Sequence, residues 1–162
     1  MERYKALARV LALDLHPRCF GYVVVENSSG LLDWGVSSYR GKYGAANVLV
    51  HKRLMQLLDL WRPAALVLHK AVKKSRRPNR KKDKLIELIV AEAKSRRIIV
   101  RAPVKSSADY RGKILTKYEN ARRVAEHFPV LTRKLPPKRR AWESEHYRMS
   151  IFDAAALLFS QR

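Results

Sequence analysis

Two of the 14 acidic residues in this 162-residue chain stand where a carboxylate is hard to keep. Asp14 follows Val10 to Leu13, four apolar residues that read as a buried strand. Asp153 lies between Phe152 and the run Ala154-Ala155-Ala156, which reads as a helix. An ionised acid in apolar surroundings is costly unless something pairs with it. One of the 35 Lys and Arg side chains could serve for each. A divalent cation shared by both acids serves equally well, and two carboxylates converging on Mg²⁺ are the equipment of phosphodiester cleavage.

The basic residues are the second signal. Between Lys70 and Lys84 the run KAVKKSRRPNRKKDK carries nine basic residues and one acid, Asp83. Lys73, Lys74, Arg76, Arg77, Arg80, Lys81 and Lys82 are its candidates for phosphate contact. A second cluster, Arg133, Lys134, Lys138, Arg139 and Arg140, surrounds Pro136-Pro137 and precedes Trp142. Trp142 and Tyr147 have the faces to stack on unpaired bases. Contacts of this kind go mostly to phosphate and carry no sequence readout. A charge run is more often a solvated face, but a net charge of +21 makes nucleic acid the natural partner, DNA and RNA alike.

The elements that must position these groups follow from the apolar period. Residues 8–15, 20–26 and 31–36 read as short strands, with Asn27 to Gly30 as a turn, and together they form an antiparallel meander. Val50, Leu54, Leu57, Leu58 and Trp61 mark one face of a helix over 45–61. Ala64 to Leu68 is continuously apolar, as in a central strand covered on both sides. A helix over 82–96, a strand at 98–100, and a helix from a capping box at Thr116 to Glu119 as far as His127 come next. Pro129, Pro136 and Pro137 mark a linker, and a last helix spans 144–159. Strands followed by alternating helices and strands predict an α/β fold: a mixed five-stranded sheet, three-strand antiparallel meander plus parallel strands, with helices on both faces.

Composition narrows the class further. The length is that of one domain, 1–162, and 47% apolar residues suffice for a core. No apolar run approaches 18 residues, so no membrane span is expected. The first 18 residues lack a cleavage site and Asp14 interrupts their apolar stretch, so the expected compartment is cytoplasmic. A lone Cys19 forms no internal disulfide, and one Cys with five His argues against structural zinc.

The segment VLALDLHPRCFGYVVVE, in which Asp14 ends a strand and Gly21 opens the next, resembles the first motif of the RuvC-type Holliday-junction resolvases. Those belong to the ribonuclease H-like superfamily. FDAAALLF, which contains Asp153, resembles the family's last motif, and the order of elements is similar too. The resemblance spans nearly the whole chain through short motifs whose order and spacing carry it. It implies a ribonuclease H-like nuclease domain and a metal-dependent endonuclease that cleaves branched double-stranded DNA. Asp14 and Asp153 would hold two Mg²⁺ ions, with Mn²⁺ as a possible substitute. A homodimer would suit the two symmetric nicks of a junction.

Two positions depart from the family pattern. The family's Glu at the end of the fourth strand is matched by His69, and the acid or His three residues before the last Asp is matched by Ser150. Imidazole suits softer ions than Mg²⁺. Glu145, with His146, lies about two helical turns before Asp153 and can reach the site from the helix start. The implied metal set is therefore Asp14, Asp153 and Glu145, with His69 as the fourth catalytic position. The competing reading is a non-catalytic nucleic-acid-binding protein that keeps the fold with a degraded metal site. A more distant one is an RNA-associated basic protein, which leaves the two acids unexplained.

Overall fold

The computed structural model describes residues 9–16, 19–27, 29–39, 45–69, 80–103 and 112–159. Among them the chain forms strands β1 (Arg9–Leu15), β2 (Cys19–Glu26), β3 (Gly30–Ser38), β4 (Ala65–Leu68) and β5 (Ile99–Arg101). The helices are α1 (Ala45–Trp61), α2 (Arg80–Ser95), α3 (Lys117–His127) and α4 (Met149–Ala156). The sheet order is β3-β2-β1-β4-β5. β1, β2 and β3 pair antiparallel, whereas β4 runs parallel to β1 and β5 parallel to β4. This is the expected mixed sheet.

Strand alternation sorts the core into two layers. Val10 and Ala12 of β1, Val23 and Val25 of β2, and Ala65 and Val67 of β4 pack against α3 and α4. Leu11, Leu13, Val24 and Leu66 face the opposite way, onto Leu54, Leu57 and Leu58 of α1 and Leu85 and Ile89 of α2. Helices thus cover both faces. Asp14 continues the even-numbered series of β1, so its carboxylate points to the α3/α4 side.

The capping box at the start of α3 forms as its sequence predicts. Glu119 N–H donates to Thr116 Oγ1 at 3.2 Å, and Thr116 N–H donates to Glu119 Oε2 at 2.7 Å. Hydrogen bonding from the Thr116 backbone N–H, and then from the Thr116 side chain, holds the Glu119 carboxyl below its ordinary pKa. Thr116→Ala should lower stability by about 1 kcal/mol, read as a shift in the denaturation midpoint at constant slope.

The structure corrects two expectations near the C-terminus. Residues 129–134, expected as linker, form a 3-10 helix with Pro129 in its first turn and Leu131 in the core. The last helix begins at Met149 and ends at Ala156, not at 144 and 159. Residues 144–146 run outside it. Tyr147 and Arg148 make a turn in which Arg148 N–H donates to His146 Nδ1 at 3.2 Å. Glu145 therefore sits on an irregular segment and not in a helical first turn.

Candidate metal and nucleic-acid site

The site is assembled where β1 ends under the first turn of α4. Asp14 lies opposite Gly21 in the β1–β2 ladder, and the two positions share a face. A Cβ on Gly21 would fall 2.2 Å from the main-chain oxygen of Ser150. The missing side chain is what lets α4 approach the sheet, and α4 carries Asp153. Ser150 is 4% exposed, and its hydroxyl donates to the Tyr147 carbonyl at 2.9 Å.

Asp14, His16 and Asp153 meet here, each offering a ligand atom, with these atoms all within 4.8 Å of one another. Their sequence separation of 139 residues is closed by the fold. His16 Nε2 lies 2.5 Å from Asp14 Oδ2. Asp153 is 6% exposed and Asp14 little more, so two largely desolvated carboxylates stand side by side. Such a pair needs positive charge. Part of it comes from Lys117, whose Nζ is 2.8 Å from Asp153 Oδ2 and also pairs with Glu145. Burial works against the Lys117 ammonium, but its bonds to Asp153 and Glu145 outweigh this and raise its pKa above the ordinary value. It stays charged. Cys19, on the rim, has its thiol pushed up by burial and then by the negative charge of Asp14.

Glu145 is brought to the site, through Lys117 rather than into the three-residue group. His69 directly follows β4, whose Leu68 pairs with Leu13, so it stands at the strand end beside Asp14. It is not a member of the three-residue group either. Lys138, Arg139 and Arg140 lie on the exposed segment that leads to the site. The Arg140 guanidinium sits 5.7 Å from the centre of the Trp142 ring, and that ring is 78% exposed. Arg80, Lys81 and Lys82 open α2. Lys73, Lys74, Arg76 and Arg77 lie outside the described residues.

Two residues of this site are not apparent from the sequence. His16 is signalled by its place two residues after Asp14, which puts both on one side of an extended chain. Lys117 has no such signal: it is one of 35 basic residues, inside a capping box that explains its neighbours without it.

The donor set fits a hard or borderline divalent cation: two carboxylates and an imidazole within one coordination sphere's reach. Beside it lies a cleft of about 410 Å³ whose walls include His16, Glu145, Tyr147 and Asp153. That opening gives a phosphodiester access to the carboxylates.

No family model and no curated protein matches the chain. Solved structures do. T. thermophilus RuvC in complex with Holliday junction substrate is similar over 94% of this chain and 90% of that one, with 18% identity and a TM-score of 0.58. The Thermus thermophilus RuvC structure aligns over 94% and 92%, with 17% identity and a TM-score of 0.56. The fowlpox virus Holliday junction resolvase aligns over 94% and 96%, with 16% identity and a TM-score of 0.50. The fold of this chain is thus the ribonuclease H-like fold of the RuvC-type resolvases. Among the described residues no helix is long and apolar enough to cross a membrane.

Proposed function

We propose that the chain, with 1–162 as a single ribonuclease H-like domain, is a metal-dependent, structure-selective endonuclease of branched DNA such as Holliday junctions. The observation that carries this reading is the convergence of Asp14, His16 and Asp153 at the end of β1. The fold shared with resolvases, one of them bound to a Holliday junction, and the net charge of +21 support it.

Asp14, His16 and Asp153 would hold one cation, and Glu145, which shares Lys117 with Asp153, is the candidate for a second. Bound Mg²⁺ or Mn²⁺ would supply Lewis-acid stabilisation of charge for a two-metal phosphodiester hydrolysis. The chain's own residues do the rest. Asp14 fixes the His16 ring by the bond to Nε2. Lys117, kept charged by its two acid partners, can exchange one of them for a non-bridging phosphate oxygen. Lys138, Arg139 and Arg140 meet the backbone on the approach. A homodimer would place two such sites on a two-fold junction. A cytoplasmic location suits DNA as substrate.

A second reading has one observation in its favour. Lys117 already neutralises Asp153 and Glu145, and a lysine settled there permanently would leave a binding protein without catalysis.

The direct test is nicking of a four-way junction against a linear duplex of equal length. The nuclease reading expects cation-dependent cleavage of the junction. His16 is a nitrogen donor and His69 stands where the resolvase pattern has Glu, so Mn²⁺ should support more cleavage than Mg²⁺. Intact junctions with both ions, under conditions where the protein binds them, would establish the binding module instead.

Lys117→Met separates the two readings on the protein alone. The substitution leaves Asp153 without its ammonium, so the metal-free protein should melt at a lower temperature. Added Mg²⁺ should then stabilise the variant more than the parent, because a competing cation has gone. A variant insensitive to Mg²⁺ and Mn²⁺ would show that the acids form an ion-pair network and no metal site.

A further inference from the structure

Next to the carboxylate cleft lies a larger cavity of about 560 Å³, and the two share Glu145, His146 and Met149 in their walls. Its volume is in the range of small-ligand sites. Tyr118, Pro136, Pro137 and Met149 make most of its exposed wall apolar, and charged groups of both signs, Lys117 and Arg139 with Glu143 and Glu145, stand around that wall. We propose that this cavity receives one unstacked nucleobase of the strand whose phosphate lies at the carboxylates. This rests on the nuclease reading for the position of that phosphate.

Three features support a base as the occupant. The first is charge: Arg139, flanked by Lys138 and Arg140, lies on the cavity's rim, and Lys117 belongs both to its wall and to Asp153. A polyanion is drawn here, yet the carboxylates of Glu143 and Glu145 beside the apolar wall disfavour a phosphate inside. A polynucleotide is the polyanion that also carries flat, weakly polar faces, and stacking on aromatic walls is how such faces are held. The second is continuity. A phosphate in one cavity has its own base within reach of the next, because the wall between them is shared. The third is that the walls are set in advance. Pro136 is buried and Pro137 follows it, which fixes the chain at that point. The turn beyond is latched by three bonds around Glu143. Arg139 donates to its carbonyl at 3.0 Å, Arg140 N–H to its carboxylate at 2.8 Å, and its own N–H to the Arg140 carbonyl at 3.1 Å. Tyr118 is carried on α3 behind the capping box. A preformed pocket spends little on ordering when it binds. At a branch point the base is already poorly stacked, so extracting it is cheapest there.

The experiment uses the full chain and four-way junctions with 2-aminopurine placed singly at each position around the crossover, titrated in EDTA. Fluorescence should rise several-fold at one or two positions near the cleaved bond and stay flat elsewhere. An abasic site at the responding position should weaken binding roughly tenfold, the order of one lost stacking contact. Ser144→Trp puts a large side chain on the cavity's wall from an exposed segment. It should abolish the position-specific signal while circular dichroism and melting show an intact fold. Tyr118→Leu, which removes the ring only, should reduce it. Cleavage of junctions with a flat 2-aminopurine profile would overturn the pocket and leave the nuclease reading standing. A position-specific signal without cleavage in any divalent cation would overturn the nuclease reading instead. A free deoxynucleoside monophosphate that erases the signal at micromolar concentration would make the cavity a mononucleotide site, against the proposal.

Discussion

Asp153→Asn should abolish junction cleavage while leaving junction binding and stability nearly unchanged. Loss of a group that merely orients a metal ligand costs roughly 10–100-fold, so loss of a ligand itself should exceed 100-fold. Asp14→Asn should behave alike, since both acids belong to the three-residue group. Stability gives the control. The amide is isosteric, it removes a desolvated charge close to Asp14, and Lys117 keeps Glu145. Lys117 is partly exposed, so the lost ion pair should cost no more than about 1 kcal/mol. The measurements are single-turnover nicking and denaturant midpoints on the same preparations. Cleavage by Asp153→Asn at a rate near the parent's would remove Asp153 from the chemistry.

Gly21→Ala should damage fold and activity together. The added carbon would meet the Ser150 oxygen at 2.2 Å and its carbonyl carbon at 2.3 Å. Real carbons do not come so close, and main-chain atoms of a packed helix cannot swing aside, so α4 must move off the sheet. Overpacking of this kind costs about 3 kcal/mol. Since α4 carries Asp153, a displacement of about 1 Å at the carboxylate should also lower cleavage on the order of 100-fold. Added divalent cation should rescue Gly21→Ala poorly, because its ligands have moved apart. An unchanged midpoint would mean that the contact between β2 and α4 relaxes freely.

The contrast between these variants follows what each residue type reveals before folding. Asp14 and Asp153 were legible because each breaks an apolar run, and a broken run needs a physical reason. Helix α1 was legible to the residue because five apolar side chains share one period and Pro63 follows it. The start of α4 was not. EHYRMS is compatible with helix in isolation, but Glu145 is held on Lys117, and Tyr147 and Arg148 are left in a turn. Helix propensity is a weak preference, and a few such contacts outweigh it.

By itself, the sequence determined the order of strands and helices, the two-layer core, the basic character and the two acids at the heart of the site. Those are properties of local period and of residues whose burial demands an explanation. Only the tertiary structure decided which groups complete the site. Lys117 joined it, and His16 took a place beside the two acids, while His69 and Glu145 stayed outside the three-residue group. That choice depends on how near α3 and α4 come to the end of β1. The distance is set by packing around a glycine, through contacts between segments more than a hundred residues apart, and no local pattern encodes it.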